Sequence, residues 1–189
     1  MATMFDFIQD IDFQILDFIQ EHFRSYWGDR VMVFFTYLGS AVVWVIFCAI
    51  LLLIRKTRRD GIVASCGLLT GVLVANVIIK NIVQRARPCW IRDGFPVLIK
   101  NPKDYSFPSG HTMAATVFTV IMIKKHPRLA FVLVPIALLI AFSRLYLYVH
   151  FPSDELFSIA AGIVIGLTAC HIEKKVTAKE PSASEAPSH

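Results

Sequence analysis

Residues 31–54, VMVFFTYLGSAVVWVIFCAILLLI, decide the fold class because they contain no charged side chain. As a helix rising 1.5 Å per residue, this stretch is long enough to cross about 30 Å of hydrocarbon. Of the 189 residues, 56% are hydrophobic and 17% are charged, whereas a soluble domain carries about 25% charged residues. The composition predicts one membrane domain with the lipid bilayer as partner, and it excludes soluble dehydrogenases, secreted disulfide scaffolds and nucleic-acid-binding proteins.

Four more apolar runs follow the first. They lie at residues 61–83, 109–123, 129–149 and 155–172. Together the runs predict five membrane-spanning helices, because a helix satisfies its own backbone hydrogen bonds inside a bilayer. The pairs Gly67/Gly71 and Gly162/Gly166 place small residues four apart on two of these spans, which predicts close helix packing.

An amphipathic helix is predicted before the spans. Apolar residues recur there at helical spacing, with five acids mostly on the other side; the apolar residues are Ile8, Ile11, Ile15, Phe18 and Ile19. Such a helix is expected to lie in the membrane interface and to pack against the bundle. The predicted fold is therefore all-α, an integral membrane helical bundle of five to six helices. Its parts are an interfacial helix in residues 1–24, a membrane-embedded domain in 25–175 and a disordered tail in 176–189.

Clusters of Lys and Arg between the runs predict the orientation. With the cluster at 55–59 in the cytoplasm, ten Lys and Arg lie inside and nine outside, and three of those nine (Lys80, Arg87 and Arg144) have chemical roles argued below. The inside cations also lie in short connections beside span ends, where they bias topology most. The protein is thus expected in the cell membrane, with the 84–107 loop outside and the C-terminus in the cytoplasm.

Charged groups at membrane depth are costly, and here they gather in three segments at the predicted outer face. KNIVQRARP, residues 80–88, places Lys80 and Arg87 seven residues apart, so both can point the same way from a helix end. PSGH, residues 108–111, predicts a helix N-terminus whose free N–H groups attract anions, with His111 attached.

The third segment is SRLYLYVHFPSD, residues 143–154. It predicts that Asp154, in the first turn of a helix, lies close to His150. A carboxylate that bonds one ring nitrogen of a histidine fixes the tautomer and leaves the other nitrogen as a nucleophile or base. Arg144 adds a third cation to the same face.

The spacing of these residues resembles the three motifs of the type 2 phosphatidic acid phosphatase superfamily. The motifs are Lys, six residues, Arg-Pro; then Pro-Ser-Gly-His; then Ser-Arg, five residues, His, three residues, Asp. All eleven specified positions occur in order within residues 80–154. The resemblance implies hydrolysis of a phosphate ester through a phosphohistidine, with neither metal nor cofactor.

The same resemblance assigns a role to each motif residue. It makes His150 the nucleophile, Asp154 its orienting partner, and His111 the acid that protonates the leaving oxygen and later the base for water. The groups that it implies for holding the phosphoryl oxygens are Lys80, Arg87, Arg144, Ser109 and the Gly110 N–H. Three cations suit phosphoryl transfer, which depends on positioning and charge neutralisation.

Some residues near the motifs are expected to have other roles. The sequence offers no carboxylate cluster for Mg²⁺, since Asp93 and Asp104 are isolated in a loop. Arg85 and Tyr105 are expected to be loop structure rather than substrate contacts. In many small family members a glycine follows soon after the final Asp, whereas Glu155-Leu-Phe-Ser stands here, which puts helix packing near the site in doubt.

The leading hypothesis is a bacterial-type membrane lipid phosphatase that acts on a lipid phosphate, first of all on undecaprenyl diphosphate. Two short spans begin at motif residues, so the site should lie slightly below the outer interface, at the depth of a lipid headgroup. The alternatives are hydrolysis of phosphatidylglycerophosphate or phosphatidate, and phosphoryl transfer to another lipid. A transporter is disfavoured because the ionisable residues lie at one end, and an inactive binding protein would need a broken motif. The oligomeric state stays open.

Overall fold

The computed structural model of the chain describes residues 4–92, 95 and 97–179. In that range the chain forms helices and no β-strand. In order, they are α1 (Met4–Phe23), α2 (Tyr26–Leu38), α3 (Ala41–Leu53), α4 (Arg58–Val72), a π-helical segment (Leu73–Ile79), α5 (Lys80–Val83), α6 (Pro88–Ile91), α7 (Gly110–Lys125), a 3-10 turn (Pro127–Leu129), α8 (Ala130–Tyr146) and α9 (Pro152–Lys179). The predicted all-helical fold is confirmed for these residues.

Three described helical stretches are long and apolar enough to cross a membrane, and α2 with α3 makes a fourth if that bent pair is one span. The three are Arg58–Ile91, Pro127–Tyr146 and Pro152–Ala178. α7 has 16 residues, or about 24 Å of helix, which is short for a full crossing. The prediction of a multi-pass membrane protein is confirmed, and the count of five spans stays a prediction.

Residues 31–54, predicted as one continuous helix, are divided between α2 and α3, which are bent by 52° at Gly39 and the residue after it. Trp44 Nε1 donates to the Gly39 carbonyl at 3.1 Å and so satisfies an acceptor near the break. A Cβ at position 39 would lie 2.6 Å from Ile140 Cγ2 and 3.3 Å from His111 Cδ2. Glycine therefore lets the corner between the two helices approach α7 and α8.

α7 lies at the centre of the bundle and packs against α3, α4, α8 and α9. The glycines of α9 allow a close approach to α7, because a Cβ at Gly162 would lie 2.8 Å from Thr116 Cβ, and one at Gly166 2.8 Å from Val120 Cγ1. Gly67 of α4 similarly faces Ile121. These contacts confirm the close packing predicted from the glycine spacing, except that Gly71 is only in ordinary contact with its neighbours.

The outer surfaces of the bundle carry large apolar side chains, among them Leu53 (83% exposed) and Phe131 (88% exposed). A soluble monomer rarely exposes a continuous apolar surface of this kind, whereas lipid tails solvate it well. Charged groups cluster instead at the two ends. One end carries Lys125 bonded to Asp60 and Glu173, and the opposite end carries the motif residues.

α1 packs against α8 and α9 at the motif end of the bundle. Its buried side consists of Asp12, Phe13, Leu16 and Ile19. The other four members of the predicted apolar stripe, Ile8, Ile11, Ile15 and Phe18, are exposed. The helix therefore has a protein-facing side and a second apolar side, and its location in the membrane interface stays a prediction.

The C-terminal boundary differs from the expectation, since α9 continues to Lys179 whereas the disordered tail was predicted from residue 176. Residues 176–179 contain neither Gly nor Pro, so they can continue a helix that is already formed before them. The rest of the predicted tail, residues 180–189, lies outside the described residues.

Candidate active site

The three motif segments converge at one end of the bundle because local backbone features direct them there. The π-helical segment places Lys80 at the start of α5, and Gln84 then adopts a left-handed conformation (φ 49°) that ends the helix. Arg87 is extended before Pro88, as expected for a residue that precedes proline. Ser109 is the N-cap residue of α7, so the predicted helix N-terminus at PSGH is confirmed.

Most of the predicted site residues line one cavity of about 800 Å³. They are Lys80, Arg87, Gly110, His111, Arg144 and His150. Three cations and two histidines therefore face a common space. The cavity also has an apolar arm between α3 and α4, lined by Trp44, Val45, Cys48, Leu52, Leu68 and Val72 among others.

His150 is buried, and its Nε2 faces the cationic side of the cavity. Arg87 Nη1 lies 3.0 Å from His150 Nε2 and 2.7 Å from the Val149 carbonyl oxygen. Burial, followed by the positive charges of Arg87, Arg144 and Lys80, lowers the pKa of His150 well below its usual value. The imidazole is therefore neutral at pH 7, and its Nε2 lone pair points toward Arg87 Nη1, the position that a phosphoryl group bound to Arg87 would approach.

Asp154 lies behind His150, on the Nδ1 side of the ring. Its Oδ2 is 3.5 Å from His150 Nδ1, and the same oxygen accepts from Ser106 Oγ at 2.5 Å and from the Phe151 backbone N–H at 2.9 Å. Asp154 is fully buried. This arrangement favours the tautomer that carries its hydrogen on Nδ1, which is the one an Nε2 nucleophile needs.

Asp104 is the main departure from the sequence-based expectation, which treated it as an isolated loop residue. Its Oδ1 accepts from Arg87 Nη2 at 2.9 Å, its Oδ2 accepts from Lys80 Nζ, and its carbonyl oxygen accepts from Arg87 Nε at 2.7 Å. Burial raises the pKa of Asp104, but Lys80 and Arg87 outweigh burial and hold that pKa well below its usual range. An ionised carboxylate therefore sits on two of the cations assigned to phosphate.

Arg144 and Ser109 each carry a buried polar atom with no hydrogen-bond partner among the described residues, as do Arg85 and Glu155. Arg144 is buried and donates from Nη1 to Thr36 Oγ1, while its Nε has no partner within the described part of the chain. Ser109 Oγ is likewise buried without a described partner, and the Ser109 N–H donates to Ser158 Oγ at 2.8 Å. Donors of this kind suit an incoming anion.

Ser158 and Glu155 make the helix contact near the site at the place where many small family members have a glycine after the final Asp. Ser158 Oγ donates to the Asp154 carbonyl oxygen at 2.6 Å while it accepts from Ser109, so it joins the first turns of α7 and α9. Glu155 is buried and accepts from Thr112 Oγ1. Two polar side chains thus make the helix contact near the site.

Arg85 was expected to be loop structure, but it contacts the candidate dyad. Arg85 Nη1 donates to Asp154 Oδ1 at 2.7 Å, and Nη2 donates to Asp12 Oδ2 at 2.7 Å. No local spacing shows this pair, since Asp12 is 73 residues away along the chain. Tyr105 does behave as loop structure, with its carbonyl oxygen 3.3 Å from Arg87 Nη2 and its ring against Trp90.

No three His, Cys, Asp or Glu side chains in residues 4–92, 95 and 97–179 form a set of metal ligands. The charged groups that face the cavity are instead arranged for an anion. Lys80, Arg87 and Arg144 supply positive charge, Lys100 and Lys103 also line the cavity, and the α7 N-terminus adds backbone N–H groups.

Comparison with protein families gives a match to the PAP2 superfamily over residues 61–178. The undecaprenyl-diphosphatase of Sulfolobus acidocaldarius is 30% identical over 144 residues, which are 76% of this chain and 69% of that protein. Undecaprenyl-diphosphatase BcrC of Bacillus subtilis is 31% identical over 140 residues, 73% of this chain and 71% of that one. The matched region contains all three motif segments.

Among solved structures, the chain is similar to the transmembrane PAP2-type phosphatidylglycerolphosphate phosphatase of Bacillus subtilis. The TM-score is 0.73 at 28% sequence identity, over 93% of this chain and 89% of that one. The similarity extends well beyond the motifs and includes the bundle that positions them.

Proposed function

The chain belongs to the PAP2 superfamily, and on that premise we propose that it hydrolyses undecaprenyl diphosphate to undecaprenyl phosphate and phosphate through a phosphohistidine on His150. It is a multi-pass membrane phosphatase that acts on lipid phosphates. The observation that carries the finer proposal is the single cavity that joins the cations beside His150 to the apolar arm between α3 and α4.

In the first step, the terminal phosphoryl group binds against Lys80, Arg87 and Arg144. His150 Nε2 attacks phosphorus, and the N–P bond forms as the bond from phosphorus to the bridging oxygen breaks. The electron pair goes to that oxygen, which takes a proton from His111, so undecaprenyl phosphate leaves. Asp154 holds the Nδ1 hydrogen and balances the positive charge that develops on the ring.

In the second step, water attacks the phosphohistidine. His111, now neutral, takes a proton from the water, whose oxygen bonds to phosphorus as the N–P bond breaks. Inorganic phosphate leaves and His150 is neutral again. The Gly110 N–H and the Ser109 hydroxyl are assigned to the phosphoryl oxygens in both steps, because they lie at the N-terminus of α7.

The shape of the cavity supports a lipid substrate with a long apolar chain. The cavity lining includes residues of α4 and of the π-helical segment and α5 after it, from Ser65 to Lys80. These residues cover a distance of about 22 Å along a helix. A phosphate at the cations can therefore leave its chain between two membrane helices. The names of two relatives support a polyprenyl diphosphate over a diacyl lipid.

The runner-up substrate is phosphatidylglycerophosphate, because the similar structure from Bacillus subtilis is a phosphatase of that lipid. Phosphatidate hydrolysis and transfer of the phosphoryl group to a second lipid would use the same residues. The topology belongs to the same proposal: five spans with α7 as the short one, α1 in the outer interface, the site on the extracytoplasmic side and the C-terminus in the cytoplasm.

The test is phosphate release from undecaprenyl diphosphate by the purified protein in detergent with EDTA, beside His150→Ala. We expect release by the wild type and a loss of at least about 10⁴-fold in the variant, because the nucleophile is gone. The matched control is His171→Ala, which removes an exposed histidine of α9 outside the cavity lining and should keep wild-type activity.

Two results would contradict parts of the proposal. Wild-type protein that hydrolyses phosphatidylglycerophosphate but not undecaprenyl diphosphate would show that the substrate is wrong and the chemistry right. Activity that persists in His150→Ala would show that another group is the nucleophile.

A further inference from the structure

A buried ionic chain connects α1 to the candidate dyad. The Arg85 guanidinium lies between two carboxylates, 2.7 Å from Asp12 Oδ2 and 2.7 Å from Asp154 Oδ1. The Asp12 side chain is 4% exposed, that of Asp154 0% and that of Arg85 12%. Buried ion pairs need good geometry to offset the cost of removing both charges from water. Removal of one partner is then strongly destabilising, because the other charge stays buried without compensation.

Asp12 also holds the chain between the two members of the dyad. Its Oδ1 accepts from the Ser153 N–H at 2.9 Å and its Oδ2 from Ser153 Oγ at 2.5 Å. Arg85 in turn donates to Ser153 Oγ at 2.7 Å and lies 3.9 Å above the Phe151 ring. One carboxylate of α1 therefore fixes both Arg85 and the turn from His150 to Asp154.

A second contact from α1 stabilises the same corner. Tyr148 has φ 59°, which costs free energy in a residue with a bulky side chain. Its hydroxyl donates to Asp17 Oδ1 at 2.9 Å, and its ring stacks on Phe95. α1 thus helps to hold the backbone that aims His150.

We propose that Arg85 and Asp12 are positioning residues for the hydrolysis, through which α1 fixes the Asp154 carboxylate that orients His150. The inference rests on the proposed role of His150 as nucleophile. Arg85 takes Asp154 Oδ1, which leaves Oδ2 for the Nδ1 side of His150. Neither side chain is among the residues that line the cavity, so both act through Asp154 and not on the substrate.

The experiment measures kcat and KM of the full-length protein in detergent for undecaprenyl diphosphate and phosphatidylglycerophosphate. With the substrate that turns over, Arg85→Gln should lower kcat by about 30- to 100-fold and change KM less than about threefold, since outer partners of a functional histidine contribute effects of this size. Asp12→Asn should lower kcat about tenfold. Arg85→Lys should recover part of the loss, because lysine restores the charge but not the two-sided fork.

The double variant Asp12→Asn/Arg85→Gln should lose little more than Arg85→Gln alone, because the two residues act through one path. The matched control is Arg24→Gln, which removes another arginine contact with the same helix, from Arg24 Nη1 to Gln20 Oε1 at 2.8 Å. Neither Asp12, Asp17 nor the dyad is a partner in this contact, and its removal should change kcat less than about twofold.

Several outcomes would overturn the inference. One is an unchanged kcat in Arg85→Gln; a second is a loss expressed in KM alone; a third is an equal loss in Arg24→Gln, which would show that α1 only supports the fold. If Arg85→Gln does not fold, judged by its thermal transition in detergent, the kcat of Asp12→Asn decides. Wild-type protein that hydrolyses neither lipid would instead contradict the proposed function.

Discussion

The two sides of the His150 ring are built in different ways. The Nε2 side faces an open cavity lined by Lys80, Arg87 and Arg144 and also by Lys100 and Lys103, and Asp104 is paired with Lys80 and Arg87. The Nδ1 side is closed, and there the charges of Asp154, Arg85 and Asp12 alternate at 2.7 Å spacings. The first side has excess positive charge for a ligand, and the second has no room for one.

This difference assigns separate tasks to the two sides. Donors on the open side can hydrogen-bond the phosphoryl group in both the ground state and the transition state, so they affect both binding and rate. The closed side keeps one geometry throughout, so it should affect the rate and leave binding unchanged. Variants on the open side should therefore show larger losses in kcat/KM than variants on the closed side.

The largest effect is expected for Arg87→Lys. Arg87 uses all three of its nitrogens, toward Asp104, Val149, His150 and the Tyr105 carbonyl, and lysine cannot reproduce this planar fork. We expect kcat/KM to fall by about 10³-fold, the usual result of losing an electrostatic donor from a transition state. Steady-state phosphate release measures it.

The control is Arg30→Lys, because Arg30 is an exposed arginine whose Nη2 contacts the Tyr26 hydroxyl. It should retain wild-type kinetics. A loss below about tenfold in Arg87→Lys would mean that the open side needs only charge and not the shape of the guanidinium.

The sequence predicted the open side well because its residues belong to three short segments whose local spacing sets their direction. Helix periodicity, the proline that begins PSGH and the cation positions were enough to bring Lys80, Arg87, His111, Arg144 and His150 together. The all-helical fold followed from the same apolar runs. The bend at Gly39 was missed because glycine within an apolar run also fits a straight helix.

The closed side could not be predicted in the same way. Asp12 and Arg85 are paired across 73 residues, and Ser106 reaches Asp154 across 48. A signal for Asp12 did exist, since it shares a helical face with Leu16 and Ile19, which are buried. A carboxylate among buried apolar positions indicates an ionic partner, but the partner itself becomes known only from the tertiary structure.

A smaller effect is expected on the closed side for Ser106→Ala. Ser106 Oγ donates to Asp154 Oδ2 at 2.5 Å, so its removal loosens the carboxylate without a change in net charge. We expect kcat to fall about tenfold, as for one charged hydrogen bond of about 1.5 kcal/mol, with KM unchanged. Thr70→Ala, which removes an exposed hydroxyl bonded to Cys66 O, is the control. A rise in KM would show that the closed side also contacts substrate.

The pH dependence connects the two sides, because His150 must be neutral to attack. Burial and the nearby cations hold the pKa of His150 well below 6.5, so the acidic limb of kcat/KM that belongs to His150 should lie below pH 6.5, whereas loss of the His111 proton sets the alkaline limb. Lys80→Met removes one of the cations and should move this acidic limb to higher pH, by about one unit.

The charged and titratable groups that act on the protonation of His150 are Arg87, Arg144, Lys80, His111 and Asp154. Lys124→Met, at the other end of α7, should leave the limb in place. An acidic limb above pH 6.5 in the wild type, or a shift to lower pH in Lys80→Met, would mean that another group controls the rate.

The smallest effect is expected for Asp104→Asn. The Asp104 carboxylate, which is 57% exposed, must leave Lys80 and Arg87 before phosphate can bind both of them. Solvent screens the exposed carboxylate although the two cations are buried, and we take about 1 kcal/mol for its competition, so the variant should bind inorganic phosphate up to about fivefold more tightly. The measurement is the inhibition constant of phosphate against lipid hydrolysis.

This result distinguishes two roles for Asp104 on the open side. If the carboxylate only occupies the place of a phosphoryl group, asparagine frees the cations, while the Asp104 carbonyl oxygen still accepts from Arg87 Nε at 2.7 Å and keeps the loop in position. If the carboxylate instead aligns Lys80 and Arg87 for the substrate, phosphate binds the variant more weakly and kcat falls. Asp10→Asn, an exposed change of equal charge on α1, corrects for the general effect of net charge. Weaker phosphate inhibition in Asp104→Asn alone would therefore make Asp104 part of the fixed architecture and leave Arg144, whose Nε has no partner among the described residues, as a buried cation available to the incoming phosphate.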